Sequence, residues 1–167
     1  MYLEQNHNMK IIFLDIDGVL NTMSPEDDLP AAYSNSGVYY RDFNDLPLER
    51  CVNNLNKILK ETDAEIVISS TWRIIHSNIS LMYIFFLCGI KPPFILGSTP
   101  RTGKKRGIEI AEWLKEHPKV ERFVIIDDDS DMVDLMDHLI QIDSEVGLTE
   151  DDANKIIEIL NADDQVA

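Results

Sequence analysis

Two aspartates, Asp15 and Asp17, are the side chains of this chain whose type and spacing best suit chemistry. They follow four apolar residues, 11–14, which predict a short buried strand, and Gly18 then interrupts the regular structure. Near the end of a strand, side chains two residues apart can point the same way. Two carboxylates held close together repel each other unless a cation lies between them or one is protonated. The pair therefore indicates metal binding and proton transfer, with an ordinary Asp-Gly turn as the alternative.

Two further segments carry polar residues at the ends of predicted strands. The predicted strands at 64–70 and 121–129 each have an apolar centre and polar residues at the carboxyl end. The polar residues at these ends are Ser69, Ser70, Thr71, Asp127 and Asp128. Helix capping is the competing interpretation of the serine and threonine run. Three such strand ends in one chain are harder to attribute to chance than any one of them.

Apolar periodicity places these segments in an alternating series of strands and helices. Strands are predicted at 11–14, 64–70, 94–96, 121–129 and 140–143, and helices from Pro47, at 76–88, 104–116 and 132–139, and after a capping box of Thr149 and Asp152. This alternation predicts an α/β fold, a three-layer Rossmann-like parallel sheet with helices on both faces. Ligands of such sheets bind beyond the carboxyl ends of the strands, where these polar residues lie.

Size and composition limit the classes of partner. The 167 residues suffice for one domain with its own core, and we expect an N-terminal arm at 1–9 and a single domain at 10–167. A net charge of −15 disfavours extended nucleic-acid binding and anionic membranes. The apolar run 79–90 is too short to span a bilayer, so we expect a buried helix and no membrane span. Cys51 and Cys88 have no partner motif, which predicts reduced buried thiols in a cytoplasmic protein.

A long polar segment, 22–46, separates the first predicted strand from the first predicted helix. Connections of this length in compact domains are often lids or binding loops, so we expect a flap inserted here. Its aromatic residues suit either packing or contact with a substrate ring. They are Tyr33, Tyr39, Tyr40 and Phe43.

Taken together, these segments resemble the haloacid dehalogenase-like (HAD) superfamily. IIFLDIDGVLN at 11–21 resembles its first motif, EIVISSTWR at 65–73 its second, and FVIIDDDSD at 123–131 its acidic fourth motif. TPRTGKKRGIEIAEWL at 99–114 falls where the basic third motif should lie. The resemblance begins at residue 10 and covers most of the chain. It is strongest to a branch of small HAD domains also found in nucleic-acid end-repair proteins.

The resemblance implies a phosphatase mechanism with Mg²⁺ as the cofactor. Asp15 would be the nucleophile that forms an aspartyl-phosphate. Asp17 would be the general acid and base, and its backbone carbonyl would also bind the metal. Among the acidic residues of the fourth motif, Asp128 is the first choice of metal ligand, with Asp127 and Asp131 as close candidates.

The resemblance also implies residues that bind the phosphoryl group. Ser69, or Ser70 in the competing register, would donate a hydrogen bond to a phosphate oxygen. The cation that neutralises the nucleophile would be Lys104, Lys105 or Arg106, with Arg106 or Lys105 favoured. The remaining candidates for substrate binding are Gly18, Asn21, Thr71 and Arg73. The last of these suits a structural salt bridge equally well.

The substrate is less closely defined than the chemistry. Within the superfamily, an aspartate at position 17 favours phosphomonoester chemistry, since dehalogenases typically lack it and transport ATPases carry threonine there. No large cap domain fits between the motifs, so we expect an open site. The expected partner is a phosphorylated substrate, which would be a phosphoprotein, a nucleic-acid end or a nucleotide. The alternative is a catalytically silent HAD-fold module that binds phosphate and metal without turnover.

Overall fold

The structure, a computed structural model, describes residues 9–22, 46–90 and 95–162. Its strands are β1 (Met9–Leu14), β2 (Glu65–Ile68), β3 (Ile95–Ser98), β4 (Val120–Asp127) and β5 (Leu139–Gln141). Its helices are α1 (Glu49–Thr62), α2 (Trp72–Ile75), α3 (Asn78–Leu87), α4 (Arg106–Glu116) and α5 (Glu150–Asn161), and a 3₁₀ helix spans Val133–His138. The strands pair in parallel in the order β3-β2-β1-β4-β5. The prediction of a Rossmann-like α/β fold is confirmed.

The central strand β1 packs against a hydrophobic core on each face of the sheet. Ile12 and Leu14 join the core formed with α1 and α5, whereas Ile11 and Phe13 join the core formed with α4. The Phe13 ring meets the Trp113 ring edge to face at 5.4 Å. Because successive side chains of a strand point to opposite faces, four apolar residues in a row bury both faces of the sheet. This burial fixes the strand whose end carries Asp15.

Backbone hydrogen bonds continue past the ends of the strands and fix the first residues beyond them. The Asp15 N–H donates to the Ile126 carbonyl at 3.0 Å, and the Ser69 N–H donates to the Leu14 carbonyl at 2.9 Å. Asp15 and Ser69 are therefore neighbours along one edge of the sheet. This is the edge at which the sequence predicted a site.

The starts of two helices test the predictions about helix capping. The Thr149 hydroxyl accepts from the Asp152 N–H at 3.2 Å, and the Asp152 carboxylate accepts from the Thr149 N–H at 3.0 Å. The predicted capping box of α5 is therefore confirmed. The prediction that Pro47 is the first residue of a helix was wrong, because α1 begins at Glu49 and the backbone at Leu48 is still extended.

The helix predicted at 76–88 is α3, and a separate short helix that was not predicted, α2, ends just before it. The backbone is extended at His76, with φ −115° and ψ 140°, and this ends α2. The Ser77 hydroxyl then accepts from the Ser80 N–H at 3.2 Å and starts α3. A polar cap of this kind satisfies one of the unpaired N–H groups at the start of a helix.

The apolar run 79–90 does form a helix over most of its length, but the prediction that this helix is buried was wrong. Ile79 is 80% exposed, and the Tyr83 and Phe86 side chains are more than half exposed. Leu81 and Phe85, one helical turn apart, are the residues of α3 that are buried. The segment is apolar on every side, so its sequence indicates no particular buried face. It lies beside β3, an edge strand, which offers little surface to cover it.

Cys51 and Cys88 are buried cysteines, as predicted. Within the described ranges, no helix has both the length and the apolar character that crossing a membrane requires. β1 begins at Met9, one residue before the predicted start of the domain. The rest of the predicted arm lies outside the described residues, as does the predicted flap between Thr22 and Leu46 with its aromatic residues.

Candidate active site

Three aspartates and one arginine converge beyond the ends of β1 and β4. Asp15, Asp127 and Asp128 each offer a carboxylate oxygen, and these oxygens lie within 4.8 Å of one another. The Arg106 guanidinium contacts the Asp15 carboxylate and lies 2.5 Å from the Asp127 carboxylate. Asp15 is 4% exposed and Asp127 is fully buried, so solvent screens their charges weakly. One positive charge therefore faces three carboxylates.

Burial and mutual repulsion disfavour the charged forms of these acids. Burial, and then the Asp15 carboxylate, raise the pKa of Asp127 to about 7, although Arg106 opposes the shift. The same two causes raise the pKa of Asp128. Burial alone would lower the pKa of Arg106, but the Asp15 and Asp127 carboxylates raise it above its ordinary value. Arg106 thus remains charged, and the cluster keeps an excess of acidic groups that another cation would stabilise.

The arrangement of donors fits a hard divalent cation. Carboxylate oxygens are the ligands that Mg²⁺ prefers in proteins, and Asp15, Asp127 and Asp128 are the residues that could hold it. Gly18 allows the loop that follows β1 to approach these carboxylates, because a Cβ at this position would lie 2.6 Å from Asp128 Oδ2. Its φ of +73° is also one that other residues rarely adopt. The Asp17 carboxylate is not part of this cluster, which leaves its backbone carbonyl as the predicted metal contact.

Asp17 lies on the exposed side of the same loop and is held by two hydrogen bonds. Its Oδ1 accepts from Trp72 Nε1 and from Asn21 Nδ2, each at 2.9 Å. Asn21 Oδ1 accepts in turn from the Gly18 N–H at 3.0 Å, which closes the loop on itself. Asn21 therefore orders the loop, and its predicted contact with substrate stays a prediction. An exposed carboxylate that is held in place by neutral donors suits proton exchange with a substrate and with water.

Of the two serines at the end of β2, Ser69 has the hydroxyl that a phosphate oxygen would satisfy. It is fully buried, and the hydroxyl has no hydrogen-bond partner within the described part of the chain. A buried polar group left unpaired costs about 1–3 kcal/mol, which a ligand oxygen would recover. The Ser70 hydroxyl already accepts from the Trp72 N–H at 3.2 Å. Thr71 is exposed and immediately precedes α2.

Arg106 is the cation of the basic segment that contacts Asp15, the predicted nucleophile. Lys104 lies 2.5 Å from Glu112 on the surface, and Lys105 is the exposed residue that precedes α4. Arg106 is the first residue of α4, so its position depends on where that helix begins. Of the three cations that the sequence left open, Arg106 is the one that contacts Asp15.

The start of α4 lies directly against the loop that follows β4. The Arg106 N–H donates to the Asp131 carboxylate at 3.2 Å, and the Gly107 N–H donates to the Asp131 carbonyl at 3.3 Å. A Cβ on Gly107 would lie 2.0 Å from the Met132 carbonyl oxygen, so a larger residue requires the backbone to shift. Asp131 was a candidate metal ligand, but it lies outside the carboxylate cluster. Its observed contacts hold the helix that carries Arg106.

Arg73 lies in a second ion pair, which is buried. Its guanidinium contacts the Glu109 carboxylate and donates to the Ser69 and Ser70 carbonyls, each at 2.5 Å. The second carboxylate oxygen of Glu109 accepts from the Thr102 N–H at 2.7 Å. Arg73 is 5% exposed and Glu109 is 4% exposed. Of the two roles considered for Arg73, phosphate contact and structural salt bridge, the structure shows the salt bridge.

Three residues of the site were missed in the sequence analysis: Trp72, Gly107 and Glu109. All three lie within the motifs quoted above, next to residues that were singled out. Glu109 lies three residues after Arg106 and so shares a helix face with it, but this spacing gives no indication of its partner Arg73. Trp72 and Gly107 act through contacts with segments remote in sequence, which no local pattern indicates.

The α/β fold and the acidic ends of β1 and β4 define a HAD-like domain. The family model described as the HAD domain in Swiss Army Knife RNA repair proteins matches residues 11–153. The chain belongs to this family, which confirms the predicted resemblance to HAD domains of nucleic-acid repair proteins. Membership supports phosphoesterase-type chemistry of the HAD superfamily in general. A search of the curated proteins finds no match.

Proposed function

We propose that this chain is a Mg²⁺-dependent phosphomonoester hydrolase in which Asp15 is the nucleophile. One observation carries the proposal: the buried Asp15 carboxylate contacts Arg106 and lies at the same sheet edge as the unpaired Ser69 hydroxyl. An Asp15 oxygen attacks phosphorus, the bond from phosphorus to the leaving oxygen breaks, and the phosphoryl group is transferred to Asp15. Arg106 and the Ser69 hydroxyl offset the negative charge that gathers on the phosphoryl oxygens.

Asp17 completes the reaction as the general acid and then the general base. It donates a proton to the leaving oxygen in the first step. In the second step it takes a proton from the water that attacks phosphorus, the bond to Asp15 breaks, and inorganic phosphate leaves. Catalysis of this kind contributes about 10²–10⁴-fold. The hydrogen bonds from Trp72 and Asn21 support this role because they fix the carboxylate at the exposed side of the site.

The metal would be held by Asp15, by Asp127 or Asp128, and by the backbone carbonyl of Asp17. When bound, it supplies positive charge that offsets the repulsion between the carboxylates and the charge of the phosphoryl group. The excess of acidic groups over Arg106 supports this assignment.

The substrate we favour is the phosphorylated end of a nucleic acid. The description of the matching family names RNA repair proteins, which supports this choice over a phosphoprotein or a free nucleotide. The net charge of −15 opposes a long contact with a polyanion, so recognition would be confined to the terminal nucleotides.

The test is hydrolysis of an aryl phosphate by the wild type and by Asp15→Asn, with and without Mg²⁺. We expect turnover that a chelator abolishes and that the variant lowers at least about 10⁴-fold, the size of loss typical when a nucleophile is removed. Asp137→Asn is the matched control, because Asp137 is an exposed aspartate of the 3₁₀ helix. The control should keep wild-type turnover.

A second measurement distinguishes an enzyme that accepts few substrates from a module that binds phosphate and metal without turnover. Beryllium fluoride with Mg²⁺ mimics a phosphoryl group on an aspartate, so it should bind the wild type and not Asp15→Asn. If the mimic binds but no phosphomonoester in a panel of nucleic-acid ends, nucleotides and phosphopeptides is turned over, the chain is a binding module and the hydrolase proposal fails.

A further inference from the structure

A cleft of about 340 Å³ opens beside the site, between the loop that follows β2 and the segment that precedes α4. Although the chain carries a net charge of −15, four of the residues that line this cleft are basic. They are Arg73, Arg101, Lys104 and Arg106. Arg106 also contacts Asp15, so the cleft begins where the transferred phosphoryl group would lie.

The two acidic residues of the cleft are engaged with the protein. Glu109 is buried, and its two carboxylate oxygens contact Thr102 and Arg73. Asp131 accepts from the Arg106 N–H, and its other carboxylate oxygen is buried. Glu109 is therefore neutralised by Arg73, whereas Asp131 is half-buried and has no ion-pair partner within the described residues.

Two of the basic side chains remain available to a ligand. Arg101 is exposed and donates to the Ile74 carbonyl at 3.2 Å, and it has no ion-pair partner within the described residues. Lys104 pairs with Glu112, but half of the Lys104 side chain is exposed. An exposed pair of this kind is worth about 0–1 kcal/mol, so an anionic ligand can displace it.

We propose that this cleft binds the phosphodiester adjacent to the terminal phosphate of a nucleic-acid substrate, with Arg101 and Lys104 as its contacts. The proposal rests on the proposed function, because it extends the same site by one nucleotide. An arginine fork and a lysine ammonium are both suited to phosphate oxygens. The volume lies at the lower end of the range of about 300–1,000 Å³ for small-ligand pockets, so it suits a single nucleotide and not a long track.

The apolar rim of the cleft favours a nucleotide over an acidic peptide. Ile74 lines the cleft, and it is more than half exposed. A nucleotide presents a flat apolar base or a ribose beside its phosphate, which matches apolar and cationic side chains in one cleft. A phosphopeptide with acidic neighbours would use the cations and leave Ile74 uncovered.

The experiment compares kcat/KM for a mononucleotide with a terminal phosphate and for the dinucleotide that carries the same terminal phosphate. Both are made with the phosphate at the 5′ end and at the 3′ end. We expect the wild type to prefer the dinucleotide by about tenfold or more, the value of one hydrogen bond to a charged group. Arg101→Gln and Lys104→Gln should each reduce this preference and make it less sensitive to salt.

Lys115→Gln is the matched control, because Lys115 is an exposed lysine near the other end of α4 and does not line the cleft. It should keep the preference of the wild type. A wild type without preference, or equal behaviour of Arg101→Gln and Lys115→Gln, would overturn the proposal. An equal gain from acidic residues flanking a phosphopeptide would overturn the choice of a nucleic acid.

A binding measurement distinguishes failure of this inference from failure of the proposed function. Asp15→Asn is titrated with the fluorescently labelled mononucleotide and dinucleotide, alone and combined with Arg101→Gln. If the wild type hydrolyses no phosphomonoester, the hydrolase proposal fails. The cleft is then still supported by tighter binding of the dinucleotide that Arg101→Gln removes, and it is refuted by equal binding of the two ligands.

Discussion

Arg106 and Arg73 are both arginines held by acidic partners near the same edge of the sheet, yet their surroundings differ in charge. Arg106 contacts Asp15 and Asp127, and Asp128 lies beside them. Arg73 contacts one carboxylate, that of Glu109, and two backbone carbonyls. The first cluster has more acids than cations, and the second is balanced.

This difference separates a chemical site from a structural one. A buried pair whose two charges cancel has no net charge to offer a further ion, so its effect is to fix the segments it joins. Arg73 and Glu109 join the end of β2 to the segment before α4, the two sides of the basic cleft. An unbalanced cluster has a deficit of positive charge that a metal ion can fill. Loss of the balanced pair should therefore lower stability, and changes to the unbalanced cluster should lower activity.

Arg73→Met should give the largest effect, on stability. It leaves the buried Glu109 carboxylate without its cation, and breaking a buried pair in this way costs about 3–5 kcal/mol. Urea unfolding followed by circular dichroism measures the loss. The double variant Arg73→Met with Glu109→Met removes both charges and should recover much of the stability. A loss below about 1 kcal/mol in the single variant, typical of an exposed pair, would contradict the structural role.

Arg106→Gln should lower activity more than stability. Loss of one preorganised cation or donor at a reacting group costs about 10²–10³-fold in kcat. The fold should tolerate the change better than Arg73→Met, because the aspartates left behind can take up protons or bind Mg²⁺. Steady-state kinetics at saturating Mg²⁺ is the measurement. Lys105→Gln is the control, since the structure places that lysine on the surface. If Lys105→Gln loses more activity than Arg106→Gln, Lys105 is the cation that offsets the charge of the phosphoryl group.

Gly107→Ala should come next in size, through the position of α4. The added methyl group would meet the Met132 carbonyl, and overpacking of this kind typically costs about 1–3 kcal/mol. The shift also displaces Arg106, so activity should fall together with thermal stability. Gly97→Ala is the matched control, because a Cβ at Gly97 meets no atom within 4 Å. If the two variants have equal melting temperatures, the tight contact of α4 is not important for stability.

The same contrast explains how much of the site could be predicted from the sequence. The placement of Asp15, of Ser69 or Ser70, and of Asp127 or Asp128 at one edge follows from the chain alone, because strand periodicity marks where each strand ends and parallel strands end at one edge. The choice of Arg106 over two adjacent lysines could not be made, since it depends on the residue at which α4 begins. That start is fixed by its contact with Asp131.

The fold shows the same limit. The order of strands and helices could be predicted from periodicity, whereas the exposure of α3 could not. A helix that is apolar on all sides carries no information about which face is buried. The pairing of Arg73 with Glu109 could not be predicted either, because the chain has many acidic residues and their distances from Arg73 depend on packing.

The pH dependence of the unfolding free energy should report on the ion pair of Arg73 and Glu109. Burial opposes ionisation of Glu109, but hydrogen bonds from Thr102 and the charge of Arg73 outweigh it and lower its pKa below the ordinary 4.5. Because the folded-state pKa is lowered, the stabilisation is fully present above the ordinary pKa and is lost as the pH falls through the folded-state pKa.

The measurement is the difference in unfolding free energy between the wild type and Glu109→Gln, taken from pH 7 downwards. This difference should be greatest near neutral pH and should shrink in acid. Glu112→Gln removes an exposed pair with Lys104 from the same helix, so its cost should stay below about 1 kcal/mol at neutral pH. A difference for Glu109→Gln that grows in acid would have the wrong sign for an ion pair.

Trp72→Phe should give the smallest effect, and one that depends on the leaving group. It removes the indole donor to Asp17 while keeping an aromatic ring in the core, and one hydrogen bond is worth about 0.5–1.5 kcal/mol. A good leaving group such as nitrophenolate needs little protonation, whereas an alkoxide needs a proton from Asp17. The loss in kcat should therefore be larger for an alkyl phosphate than for nitrophenyl phosphate.

Trp113→Phe provides the comparison, because Trp113 packs in the core against Phe13 and stacks on His117, the residue that follows α4. It should lower stability without changing the ratio of the two rates. Equal losses on both substrates in Trp72→Phe would assign that tryptophan to packing alone. The hydrogen bond from Trp72 to Asp17 would then have no part in proton transfer, and Asn21 would be the donor that holds the Asp17 carboxylate.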